Sequence, residues 1–173
     1  MSSIIIPVCK IVVAGDGGVG KTTLIYKLIG SEHIITMTPG ISIESMKVEI
    51  SSECSVDVVF WDMGGQPQFR FFQQNFFECA NVVILVFDLT RYKSFLNLKN
   101  EWIKMIQTVG ILTSSIVILV GNKLDLGQSI SDEEIEAFAN EYKMKFFKIS
   151  AKEGTNLDAL EKHLREAIEA CYS

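Results

Sequence analysis

Arginine is scarce in this chain: three residues in 173, at Arg70, Arg91 and Arg165. The lysines are scattered and the net charge is −5, so no basic block of the kind that neutralises a phosphate backbone exists, and nucleic-acid binding is set aside. Long apolar runs are missing too. The longest, NVVILVF (81–87) and SSIVILVG (114–121), fall far short of the ~20 residues a bilayer-crossing helix needs. The four cysteines, Cys9, Cys54, Cys79 and Cys171, show neither CxxC nor Cys/His metal spacing, and no secretory signal precedes them. Reduced thiols in a cytoplasm are expected. Lipid attachment has little support: MSSIII lacks a glycine after Met1, and Cys171 stands third rather than fourth from the end. A peripheral place at a membrane is left to a tail beyond this chain or to an adaptor.

What is present is a hydrophobic content of 48%, too rich for disorder, at a length that fits one domain over 1–173. Apolar strand-like runs alternate with helical patterns: 9–15, then 21–30, then 41–50, 55–62 and 81–88. This is the signature of a layered α/β sheet. Segment 41–50 instead alternates apolar with polar, and the short SSECS (51–55) joins it to the next strand, which predicts an antiparallel hairpin. A helix near 92–108, a strand ending at Gly121, a helix near 132–143 opened by the Ser131-x-x-Glu134 capping box, a strand at 145–150 and a last helix complete the series. In that last helix Leu157, Leu160, Leu164 and Ile168 share one face and read as core. The expectation is a three-layer α/β domain: a six-stranded, mostly parallel sheet with one antiparallel edge strand and helices on both faces.

Ligands of such sheets sit outside the carboxyl ends of the strands, so the loops there belong together. GDGGVGKTT (15–23) follows a strand and opens a helix, the context that the phosphate-binding pattern G-x-x-x-x-G-K-[ST] requires. Gly17, Gly18 and Gly20 let backbone N–H groups turn onto a β-phosphate, Lys21 adds a point charge, and the Thr22 hydroxyl is suited to Mg²⁺. Asp62 ends an apolar strand where a carboxylate can hold Mg²⁺ through water. In GNKLD (121–125), Asp125 can accept from N1–H and the exocyclic amine of guanine, and Asn122 can meet its O6/N7 edge; adenine offers no such donor pair. The Ala151 amide of SAK (150–152) can donate to guanine O6, which adenine's amino group would repel.

These four motifs, in this order over essentially the whole chain, resemble the Ras-superfamily small GTPases. GDGGVGKT and VFDLTRYKSFLNLKNEW look like the Rab and Ras branches, whereas WDMGGQ, with Gly64, looks more like the Arf branch. The resemblance implies a P-loop GTPase domain that binds GTP or GDP with Mg²⁺, held by Thr22, Thr38 and Asp62. Its implied nucleotide contacts are Gly15, Asp16, Gly17, Gly18, Val19, Gly20, Lys21, Thr22, Thr23, Thr38, Gly65, Asn122, Lys123, Asp125, Ser150, Ala151 and Lys152. Gln66 would orient the attacking water and Lys21 would assist catalysis. His33 stands near where relatives place an aromatic against guanine; a solvated loop histidine is the other reading. Met63 has no account from sequence.

No arginine lies in the 31–41 loop, so slow hydrolysis is expected, with an arginine supplied by a partner. Effectors, exchange factors and GTPase-activating proteins would bind a monomer through residues 31–45 and 62–78. Segment 69–77 holds five of the eleven phenylalanines; core and effector surface are both open readings of them. Two other functions stay in view. A constitutively GTP-loaded module would not need Gln66, and a P-loop ATPase or kinase would not need Asn122 and Asp125.

Overall fold

The structure, a computed structural model, describes residues 5–30, 36–38, 40–65 and 67–172, with the backbone alone for 36–38. Gln66, His33 and Pro39, and the side chain of Thr38, lie outside the described residues. β1 (Val8–Ala14) takes the middle of the sheet, in parallel register with β4 (Ser55–Met63) on one side and β5 (Val82–Asp88) on the other. Every residue of β5 is buried, which is why it reads as an unbroken apolar run: helices cover both faces. β6 (Ile116–Asn122) and β7 (Lys145–Lys148) extend the sheet in parallel.

The hairpin is present. β3 (Ile41–Glu49) runs antiparallel to β4 from Ile41↔Met63 to Glu49↔Ser55. A seventh strand among the described residues, β2 (Thr36–Thr38), adds to the expected six and pairs antiparallel with β3. The reversed strand β3 is therefore one place in from the edge. Three residues are too few for a periodicity to announce.

Strand alternation sorts the core into two faces. Ile11, Val13, Ile84, Val86 and Val120 meet Leu24 and Ile25 of α1 (Lys21–Ile29), with the leucine face of α6 (Leu157–Tyr172). Val12, Leu85 and Phe87 meet Phe95, Trp102 and Phe138 on the opposite side. The phenylalanine-rich segment forms a four-residue α2 (Arg70–Gln73) between 3₁₀ turns at Pro67–Phe69 and Gln74–Phe77. Tertiary contacts hold it there: the Gln73 amide donates to the Gly64 carbonyl at 2.6 Å and the Gly40 carbonyl at 3.1 Å. The 92–108 helix runs as α3 (Tyr92–Asn97), a π-turn (Leu98–Trp102) and α4 (Ile103–Val109). The Ser131 cap of α5 (Asp132–Glu141) forms as its sequence predicts, Oγ accepting from Glu134 N–H at 3.2 Å.

Candidate functional site

The loop between β1 and α1 turns sharply because Gly15 takes φ +146°, and a Cβ there would sit 2.1 Å from the Val86 carbonyl oxygen. Only glycine fits so close a backbone approach. Lys21, the first residue of α1, folds back over the loop and donates to the carbonyls of Gly15 and Asp16, each at 2.8 Å. Burial pushes its pKa down to about 8; Asp62 and Asp16 oppose that shift, and the nearby Arg70 and Arg91 add to it. The ammonium thus sits in a place ready for anionic oxygens.

A cleft of about 320 Å³ is lined by Gly17, Gly18, Lys21, Thr22, Asp62 and Gly65 together with Gly40 to Ser42 of the β3 edge. In it the Thr22 hydroxyl donates to an Asp62 carboxylate oxygen at 2.5 Å. β4 brings Asp62 there by its parallel register with β1, Val13 opposite Asp62. Gly65 lies against the phosphate loop itself: a Cβ on it would fall 1.9 Å from the Gly17 nitrogen.

On the other side of Gly20 a second cleft, also of about 320 Å³, is lined by Thr23, Asn122, Lys123, Asp125, Ala151 and Lys152. Asn122 holds its two walls together. Its amide donates to the Val19 carbonyl, its oxygen accepts from the Ala151 N–H, and both bonds are 2.9 Å. Ser150 donates to Asp125 at 2.7 Å. Lys123 donates to the Gly18 carbonyl at 2.6 Å and lies 3.2 Å from Asp88. Burial raises the Asp88 carboxyl, but hydrogen bonds from Thr90 and Lys123 more than offset it and leave the pKa below its ordinary value.

Lys21 lines the first cleft and Gly20, its chain neighbour, lines the second, so the described phosphate-loop residues and Asp62 on one side and the base residues on the other line two neighbouring clefts. Asp16 contributes its backbone to the loop, whereas its carboxylate turns away to Arg70 (2.9 Å), Asn97 (2.5 Å) and Trp102 Nε1 (3.1 Å). Those three partners escaped the sequence reading, as did Arg91, whose Nη2 donates to the Gly17 carbonyl at 3.1 Å. Arg91 had a signal: it follows the carboxyl end of β5, where ligands of such sheets bind.

The sequence model of the Ras family matches residues 10–170. This chain belongs to the Ras family. Among Ras-family relatives, bovine Ras-related protein Rab-27B is 30% identical over 94% of this chain and 84% of its own length. Pig Rab-27A is 32% identical over 94% of this chain and 83% of its own. The Ras and EF-hand domain-containing protein of Xenopus tropicalis is 34% identical, but the match covers 24% of that longer protein. The Ras-family chain is a GTP-binding small GTPase switch of Rab-like kind.

Ras-family GTPases typically hold Mg²⁺ beside the nucleotide, and the residues here fit it. Among the described residues no cluster of three or more His, Cys, Asp or Glu could hold a metal alone. Mg²⁺ prefers one or two protein oxygens completed by phosphate and water, which the hydroxyl–carboxylate pair of Thr22 and Asp62 offers. Among the described residues no helix is long and apolar enough to cross a membrane.

Proposed function

We propose that this Ras-family protein hydrolyses GTP slowly, binds effectors in its GTP form, and is reset by an exchange factor and a GTPase-activating protein. The observation that carries the reading is the packing of Gly65 onto Gly17. Gain or loss of a γ-phosphate beside that contact moves Gly65, and Gly65 leads directly into Pro67–Phe77. A chemical change of one phosphate is thereby converted into a change of surface.

The surface in question is aromatic. Phe71 is 84% exposed and stands edge-on to Phe72 at 5.1 Å between centroids. Phe72 meets Phe76 at 6.1 Å, and Phe76 meets Trp61 of β4 at 5.4 Å. Phe77 is fully buried. The run thus divides between buried Phe77, half-buried Phe69, Phe72 and Phe76, and exposed Phe71, and Phe71 with its half-buried neighbours is the effector surface of this reading, shared with residues 31–45.

For hydrolysis, Gln66 orients the water, the loop amides and Lys21 neutralise charge on the β- and γ-phosphates, and Thr22, Thr38 and Asp62 would hold Mg²⁺. When bound, Mg²⁺ supplies Lewis-acid stabilisation of the phosphate oxygens. Asp125 and Asn122 select guanine, with Ala151, Ser150 and Lys152 closing the base cleft. The protein acts as a monomer in the cytoplasm or at a membrane surface.

Single-turnover GTP hydrolysis by wild type and Gln66→Leu, each with and without cell extract, tests this. Extract is expected to accelerate wild type alone. Equal rates for both chains in both conditions would leave a constitutively loaded binding module instead.

A further inference from the structure

The scarcity of arginine gives the position of Arg91 its weight. Arg70 is tied to the carboxylates of Asp16 and Glu101 and lies over the Trp102 ring at 4.8 Å. Arg165 sits on α6, bonded to Glu169 and the Glu49 carbonyl. Arg91, in the loop from β5 to α3, is held less closely than either. Among the described residues its guanidinium donates to the neutral Gly17 carbonyl, and the Asp88 carboxylate oxygen stands off at 4.0 Å. Asp88 is already served by Thr90 and Lys123.

The guanidinium rests directly on the phosphate loop. Its Nη1 lies 3.5 Å from where a Cβ on Gly18 would be, and a Cβ on Gly17 would meet nothing within 4 Å, so the space beside the loop is open. Its side chain is 46% exposed, so few contacts oppose a swing about its χ angles. A triphosphate offers charge-assisted and bidentate bonds in place of a single bond to a neutral carbonyl, and such bonds are about twice as strong.

We propose that Arg91 is the arginine of the hydrolytic step, supplied in cis from the β5–α3 loop. This rests on the GTPase reading above. In the reaction a water oxygen bonds to the γ-phosphorus as the bond from that phosphorus to the β–γ bridging oxygen breaks. The electron pair stays on the β-phosphate of GDP, and the water proton leaves with inorganic phosphate. Arg91 moves from the Gly17 carbonyl to the bridging and γ-oxygens, where that charge develops. A GTPase-activating partner then needs no arginine of its own; it accelerates hydrolysis by holding Arg91 and the Pro67–Phe77 segment in place.

The test is single-turnover hydrolysis of GTP with Mg²⁺ by the purified chain, for wild type, Arg91→Ala, Arg91→Lys and the control Arg165→Ala. Each is also probed with GDP, Mg²⁺ and aluminium fluoride, a mimic of the transferring phosphoryl group, by ¹⁹F NMR. Arg91→Ala is expected to slow hydrolysis roughly 10- to 100-fold, the span by which arginine in cis separates related GTPases, and to lose bound fluoride while GDP affinity holds within about two-fold. Arg91→Lys recovers only part, because an ammonium lacks the planar fork. Arg165→Ala matches wild type. Hydrolysis by Arg91→Ala at the wild-type rate, or a loss that tracks weakened GDP binding with fluoride still held, overturns the inference alone. A wild type that binds no GTP overturns the switch reading and this inference with it.

Discussion

The Arg70 guanidinium donates to the Asp16 carboxylate at 2.9 Å, joining the phosphate loop to the segment that carries the exposed Phe71. Both side chains are largely buried, so losing one removes a charge partner that Glu101, or Asn97 and Trp102, replaces only in part. A double-mutant cycle of Arg70→Ala and Asp16→Ala is expected to give a coupling of about 1–3 kcal/mol in urea unfolding. Additive losses would mean that the pair is ornamental.

Gly65→Ala places a methyl where the Gly17 nitrogen already is, 1.9 Å away. Backbone cannot yield as a side-chain tip can, so the segment beginning at Gly65 must shift. Faster amide exchange over 67–77, with the rest of the sheet unchanged, is the expected readout. Unaltered exchange there would break the mechanical link on which the switch depends.

Lys21 ties nucleotide affinity to pH. Its pKa in the free protein is about 8, lowered mainly by burial, and bound phosphates raise it. Affinity for GDP should therefore be level below about pH 8 and fall as pH rises above it, because binding must then take up a proton. In the free protein the sign reverses: the unfolded chain keeps its proton up to the ordinary value of 10.5, so this group adds stability as pH climbs from about 8 toward 10.5. Calorimetry in buffers of different ionisation heat measures the proton uptake, and Lys21→Met should abolish it.

Met63, the last residue of β4, is wholly buried in one cluster with Ile41 and Phe77. Met63→Ala should cost about 2–5 kcal/mol through lost burial and the cavity left behind. A loss below about 1 kcal/mol in thermal or urea unfolding would show that the site collapses freely.

Phe71→Ser removes the most exposed ring of the row. Stability should change by less than about 0.5 kcal/mol, as at other surface positions. Retention of partners by the GTP-bound form should nonetheless drop. Undiminished retention would move the effector surface elsewhere.

Much of this molecule is determined by local sequence. Unbroken apolar runs mark the parallel strands because helices cover both faces, and the leucine spacing of 157–168 marks the face of α6 that is buried. The loop motifs are legible because phosphate and guanine chemistry demands particular residues at fixed spacing, and strand ends bring them to one side. The tertiary structure decided what depends on partners remote in the chain. Met63 needed the buried cluster it shares with Phe77, the Gln73 contacts fixed where the aromatic helix tightens, and Asp16 turned toward Asn97 and Trp102, more than eighty residues away. Sequence showed that no arginine stands in the 31–41 loop; only the fold could lay Arg91 on Gly17, 74 positions distant, because adjacency of β1 and β5 is a property of the sheet and of no single segment.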